Sequence, residues 1–208
     1  MNKNTSKEII NILKTIIPNP VCELDFKNTF ELLCAVMLSA QTTDKRVNMI
    51  TPNLFTKYPN PSDLMNADYD DVKSIISSVG LANTKAKNLL EMAKILHEEY
   101  EDIVPNNLEE LIKLPGVGRK TASVVLAVGY KIPAMPVDTH LQRMAMRLGY
   151  AKKGSNVIEC EERLKKYIPK NEWIDAHHLL LLFGRYHCKA VNPLCDNCLL
   201  KQYCKKSH

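Results

Sequence analysis

An all-α fold is what this chain predicts, and three observations predict it. Apolar residues recur at three- and four-residue spacing in nearly every long segment, with charge on the opposite face. Helix-start signals precede several of these runs, and most of the eleven prolines fall between them, at Pro18, Pro20, Pro59, Pro61, Pro105, Pro115, Pro133 and Pro136. No segment alternates apolar and polar residues as a half-buried strand would. The pattern amounts to about ten short helices.

The elements follow in order. "TSKEIINILKTII" opens with a capping-box pair, Thr5 and Glu8, and sets Ile9, Ile12, Leu13 and Ile16 on one stripe. "LSAQTTDKRV" (38–47) and "VGLANTKAKNL" (79–89) each interrupt helical pattern with a short polar loop, and "ANTKAKNLLEMAKILHEEY" is a long amphipathic helix. "NNLEELIKL" repeats the capping device with Asn106 and Glu109, and "PGVG" turns it sharply into "RKTASVVLAVGY". "GYKIPAMPVDTH", with two prolines and little charge, separates that helix from the next, which Asp138 is placed to cap. "NVIECEERLKKYI" adds another amphipathic helix. A lobe boundary near residue 132 follows. The expected division is residues 22–132, carrying the hairpin, against residues 1–21 with 133–208, although the pattern alone assigns the N-terminal helix to neither lobe.

Composition narrows the class. A chain of 208 residues, 45% hydrophobic and 25% charged, can bury a real core and reads as an ordinary globular protein. Its longest apolar runs, "LLCAVML" and "LLLLF", are too short to span a membrane. "MNKNTSKEII" lacks the cationic start and apolar stretch of an export signal, so a cytoplasmic protein is expected. The net charge of +5 is modest, but it is unevenly placed. Lys113, Arg119, Lys120 and Lys131 share a stretch without an acid, and the segment from Arg185 to His208 sets five cations against Asp196. Two such zones suit a polyanion, nucleic acid first.

The turn "LPGVGRKT" (114–121) concentrates glycine and cations. It lacks the Gly before Lys of a P-loop, and Thr121 stands where a dinucleotide fingerprint needs its third glycine. What remains is two helices joined by a glycine hairpin. Gly116, Val117 and Gly118 bring backbone N–H groups near an anion at a helix N-terminus, where the dipole also favours negative charge. A DNA phosphate would be held there without regard to sequence, with Arg119 beside it.

Cys188, Cys195, Cys198 and Cys204 are spaced C-x6-C-x2-C-x5-C within the last 21 residues. In a reducing compartment such a group binds metal rather than forming disulfides. Zinc and a [4Fe–4S] cluster both accept four thiolates, and spacing alone does not choose. A tail with so few apolar residues cannot build its own core, so the metal is expected to fold it. Cys22, Cys34 and Cys160 read as small buried residues.

"LPGVGRKTA" followed by "PVDTH" resembles the helix-hairpin-helix and catalytic segment of the endonuclease III family of DNA glycosylases, the iron–sulfur branch of the helix-hairpin-helix superfamily. "LSAQTTDKRV", "VGLANTKAKNL" and the terminal cysteines extend the likeness, in order, over essentially the whole chain. The resemblance implies a DNA-binding cleft between two helical lobes and a structural [4Fe–4S] cluster on the four cysteines. It implies that Lys120 attacks the deoxyribose C1′ to form a Schiff base, after which β-elimination cuts the strand. Asp138, by the same likeness, stabilises the positive sugar and helps accept the lysine proton. An ordinary lysine is neutral roughly once in 2,500 molecules at pH 7. The first-turn position, Arg119 and partial burial would all favour a neutral amine at Lys120.

A glycosylase must turn its base out of the duplex. The residues matching Gln41 and Leu81 in the family enter the helix from two sides, and Asp44 and His140 are candidates to line the base pocket. Asp44 also reads as a helix cap, and His140 as a partly buried, satisfied histidine. The loop Lys189–Leu194 holds one cation where relatives often carry more, so a weaker DNA contribution is expected from it.

The expected activity is excision of oxidised pyrimidines from damaged double-stranded DNA by a monomeric glycosylase and abasic-site lyase. An adenine-mismatch enzyme would carry Glu where this chain has Ala35, and a thymine-mismatch enzyme would lack the hairpin lysine. A non-catalytic DNA clamp would use the glycines and cysteines but leave Lys120 and Asp138 unexplained.

Overall fold

The computed structural model describes residues 1–205, so Lys206 of the C-terminal basic stretch lies outside the described residues. Among those residues there are eleven α-helices and no strand. The backbone divides into two compact units, Glu23–Ile132 and the pair Met1–Cys22 with the chain from Pro133 onward.

The unit Glu23–Ile132 holds α2 (Thr29–Leu38), α3 (Asp44–Lys57), α4 (Pro61–Met65), α5 (Tyr69–Ile75), α6 (Ala82–Tyr100), α7 (Leu108–Leu111) and α8 (Arg119–Val124), which runs into a π-helical turn, Val125–Gly129. Helix α2 is apolar all round and buried along nearly its whole length, so it forms the centre of this unit. Long α6 lays Ala86, Leu89, Met92, Ala93 and Leu96 inward, and α4 and α5 pack against it.

The other unit holds α1 (Lys3–Ile16), α9 (Thr139–Arg147), α10 (Val157–Tyr167) and α11 (Trp173–Tyr186). Ile9, Ile10 and Leu13 of α1 join Leu141, Met144, Leu164, Leu179, Leu180 and Phe183 in one core. Each such side chain removed from water contributes about 1.5–3 kcal/mol. The phenol of Tyr150, fully buried, meets the Ser6 hydroxyl at 2.9 Å, so this buried polar atom has a partner.

Three caps differ from the sequence reading. Helix α1 starts a turn earlier than Thr5, on Asn2, whose side chain accepts from the Thr5 amide at 2.9 Å. Helix α7 is capped by Asn107 rather than Asn106, accepting from the Glu110 amide at 2.9 Å. Asp44 is the first residue of α3 and Thr43 is its cap. In each case a capping residue stood within three positions of the expected one, and tertiary packing chose the register. The chain caps eight of its eleven helices with an Asn, Asp or Thr side chain. Helices α6 and α8, which start on Leu81 and Gly118, have no side-chain cap.

Candidate functional site

The hairpin between α7 and α8 is held from inside. Leu114 and Val117 are buried, and the Val117 amide donates to the Leu114 carbonyl at 3.1 Å, closing the turn. Its two glycines do different things. Gly116 has φ +77°, and a Cβ there would meet Asn88 Nδ2 at 2.7 Å and Met37 Sδ at 2.8 Å. The fold itself therefore demands glycine at 116. Gly118 has an ordinary φ of −86°, and a Cβ there would meet nothing within 4 Å. Neither strain nor crowding in the protein accounts for glycine at 118.

Arg119 and Lys120 follow in the first turn of α8, both exposed. Exposure of Lys120 corrects the expected partial burial. The inward face of α8 is taken by Ala122, Ser123 and Val124, which turns position 120 outward.

In the same unit, the loops after α2 and before α6 touch. The Gly80 amide donates to Thr42 Oγ1 at 3.3 Å, and a Cβ on Gly80 would stand 3.4 Å from the Gln41 carbonyl. At the tips, Gln41 (φ 57°) and Leu81 (φ 61°) both lie in the left-handed region, at a cost on the order of 1–2 kcal/mol each. Both side chains are exposed, Leu81 at 58%. Glu101, Asp102, Lys131 and Asn192 share the left-handed region, so what sets Gln41 and Leu81 apart is that their two loops touch.

The other unit carries Asp138 and His140. Asp138 caps α9, one carboxylate oxygen accepting from the amides of His140 and Leu141, both at 2.9 Å. That grip fixes its direction. His140 is half-buried, and burial pushes its imidazole below the ordinary histidine range, opposed by Asp138 and reinforced by Arg143 and Arg185. Arg143, always a donor, sends Nη2 to His140 Nδ1 at 3.2 Å, so the ring's own proton sits on Nε2.

Cys188, Cys195, Cys198 and Cys204 line one cavity, with Arg147 and His187 in its wall. Burial, then the neighbouring thiols, push the Cys198 thiol upward. Arg147 donates to Cys188 Sγ at 3.1 Å and to the carbonyl of Lys189 at 2.8 Å; Arg143 reaches the Cys188 carbonyl at 3.0 Å. The tail, with few apolar residues of its own, also borrows a core. Leu200 is buried among the α1–α11 residues, and Tyr203 donates to Glu8 of α1 at 2.9 Å.

Sequence reasoning missed Lys85, Arg143, Arg147 and His187. Only Lys85 left a signal: it falls on the buried stripe of α6 with Leu89, Met92 and Leu96, where a lysine is out of place.

A family model described as the HhH-GPD superfamily of base excision DNA repair proteins matches residues 34–170. The endonuclease III of Bacillus subtilis (strain 168) is 45% identical over 191 residues, covering 92% of this chain and 87% of that one. The endonuclease III of Rickettsia felis is 47% identical over 206 residues, covering 99% and 96%. A solved endonuclease III, trapped as a covalent intermediate with DNA, matches with a TM-score of 0.95 at 43% identity, covering 99% of this chain and 96% of that one. A hairpin entering a helix at an arginine–lysine pair, an aspartate-capped helix and agreement with these relatives along the whole chain lead to one assignment: the chain belongs to the endonuclease III family of DNA glycosylases with abasic-site lyase activity, within the helix-hairpin-helix superfamily of base excision repair proteins.

Proposed function

We infer that the chain excises oxidised pyrimidines from duplex DNA and cuts the resulting abasic site, with Lys120 as nucleophile and Asp138 as its carboxylate partner. The observation that carries this reading is the pairing of Gly118 and Lys120. A glycine that the protein does not need for itself stands two residues before an exposed lysine in the first turn of α8. A phosphate drawn against Gly118 accounts for the missing side chain and brings a nucleotide to the amine.

The chemistry balances on these two groups. Lys120 Nζ, once deprotonated, attacks C1′ as the bond from C1′ to the base nitrogen breaks, and the base leaves with a proton. The carboxylate of Asp138, held rigid by two amides, stabilises positive charge growing on the sugar and takes the lysine proton. Ring opening gives the Schiff base, and loss of the C2′ proton expels the 3′ phosphate. Gln41 and Leu81 fill the space left by the extruded base, and neutral His140 has an Nε2–H to offer as a donor. Asp44, in the first turn of α3, is a further candidate to line the base pocket.

The four cysteines fit a [4Fe–4S] cluster. All four line one cavity, and a cubane would take one thiolate at each of its four irons. The buried Nδ1 of His187, in the same wall, has no hydrogen-bond partner in the protein, and a cluster sulfur would supply one. A bound cluster would supply a rigid tie for the tail, and Arg147 holds Cys188 to α9.

No helix among the described residues is long and apolar enough to cross a membrane. We propose that the protein acts on DNA in the cytoplasm as a monomer. Borohydride added during reaction with duplex holding an oxidised pyrimidine tests the mechanism. A reduced covalent protein–DNA product is expected, absent in Lys120→Ala. Base release without trapping would make the enzyme monofunctional, and neither outcome would leave a DNA clamp. A brown protein with broad visible absorbance supports the cluster; a colourless one with stoichiometric zinc overturns it.

A further inference from the structure

Lys85 is 5% exposed, in the first turns of α6, and among the described residues it makes no ion pair. Its ammonium instead donates to the Leu38 carbonyl at 2.8 Å, the Ala40 carbonyl at 2.6 Å and Thr42 Oγ1 at 3.4 Å. Three donors thus meet three acceptors, which is what burying an ammonium without a carboxylate requires. All three acceptors lie within five residues of chain. Leu38 is the last residue of α2, where unpaired carbonyls and the negative end of the helix dipole favour a cation. The residues beyond it turn tightly, with the Thr42 amide on the Ser39 carbonyl at 3.0 Å, and carry Gln41 at their tip.

The backbone of Lys85 holds the other tip. Its amide donates to the Leu81 carbonyl at 3.0 Å, the first bond of a helix that has no side-chain cap. Thr42 Oγ1 joins the two loops, accepting from both Lys85 Nζ and the Gly80 amide. One residue therefore grips both loops, by side chain on one and by main chain on the other.

We propose that Lys85 is a positioning residue that locks the loops bearing Gln41 and Leu81 into one rigid pair, so that base extrusion depends on a buried lysine of α6. The proposal rests on the reading that Gln41 and Leu81 enter the duplex. Two exposed side chains on strained backbone can displace a stacked base only if their loops do not yield. Without the ammonium, the Leu38 and Ala40 carbonyls lose their donor and the Gln41 loop is free to relax away from Gly80.

The test is a double-mutant cycle in the full-length holoprotein, pairing Lys85→Met with Leu81→Ala. Base extrusion is read by 2-aminopurine fluorescence opposite the lesion, and excision by single-turnover rate. Lys85→Met is expected to slow duplex excision on the order of 10²-fold, as an ångström-scale misplacement does, with the fluorescence rise lost. Leu81→Ala is expected to cost almost nothing further in the Lys85→Met background. Additive losses would overturn the proposal, since a general loss of fold moves both variants independently. So would wild-type extrusion in a folded Lys85→Met protein. If Lys85→Met does not fold by circular dichroism, Thr42→Val carries the same cycle; it removes the hydroxyl both loops share and is expected to give a smaller, equally non-additive loss. Leu81→Ala without effect in the wild-type background would instead refute the intercalation reading, a result distinct from additivity.

Discussion

Gly116 and Gly118 stand two residues apart and should respond to the same substitution in opposite ways. At Gly118, alanine finds an allowed φ of −86° and open space for its methyl group. Restricting the unfolded chain contributes about 0.4–1 kcal/mol of stability. Alanine is a poorer helix N-cap than glycine, which costs about 0.5 kcal/mol. These nearly cancel, so Gly118→Ala should melt in urea within about 0.5 kcal/mol of wild type. DNA binding should suffer. A methyl group that keeps a phosphate from the first-turn amides removes a charge-assisted hydrogen bond worth about 1.5–3 kcal/mol, or one to two decades in Kd. Gly116→Ala should do the reverse. Left-handed φ costs about 1–2 kcal/mol and overlap with Asn88 and Met37 about 1–3 more, so the fold weakens first. Urea melts, with fluorescence anisotropy on a duplex bearing an abasic-site analogue, separate the two. If Gly118→Ala binds that duplex as tightly as wild type, no phosphate approaches the bend and the argument for the site fails.

Three further outcomes follow from the geometry. Asp138→Asn keeps the oxygen that caps α9, so stability should stay within about 1 kcal/mol while excision falls on the order of 10²-fold or more; equal activity by single-turnover assay would remove Asp138 from the mechanism. Burial pushes the Tyr150 phenol up to about 12, so the unfolded chain gives up this proton first and stability is lost as the pH rises from about 10 to 12, at about 1.4 kcal/mol per unit. Tyr150→Phe should flatten that slope by one proton in urea melts, and an unchanged slope would refute the assignment. Oxidative removal of iron should bleach the visible absorbance, expose the tail from Cys188 to protease and leave helical circular dichroism nearly intact, because the α1–α11 core forms from other residues. A tail that stays protected would show that Leu200 and Tyr203 suffice to hold it.

Reading the sequence found what depends on local spacing. Helical periodicity, the hairpin glycines, the aspartate cap at 138 and the cysteine spacing are properties of neighbouring residues, and all four are visible in a string of letters. The division of labour between Gly116 and Gly118 is not, because it depends on Asn88 and Met37, far away in sequence. Cap registers at Asn2 and Asn107 were missed by one to three residues, since adjacent polar residues compete for the role and packing decides. The left-handed conformations of Gln41 and Leu81 have no compositional signature; glycine would have announced them, and neither residue is glycine. Lys120 was expected to be partly buried because its chemistry would benefit, yet exposure is set by which face of α8 the unit needs for its core. The tail's attachment through Leu200 was hidden because one leucine makes no periodic pattern.

The contact of Ser6 with Tyr150 joins residues 144 positions apart, and α9, α10 and α11 must all exist before the stripe of α1 has anything to cover it. On a ribosome adding about 5–20 residues each second, the interval of roughly 170 residues from Leu13 to Phe183 takes about 9 to 34 s. Ile9, Ile10 and Leu13 wait through it while Glu23–Ile132, contiguous in the chain, is able to collapse on its own. The lysines at 3, 7 and 14 give the nascent segment a cationic face that keeps it in solution meanwhile. Synthesis therefore finishes the hairpin-bearing unit early and leaves the cysteine-bearing one to close last, around a helix made ahead of both.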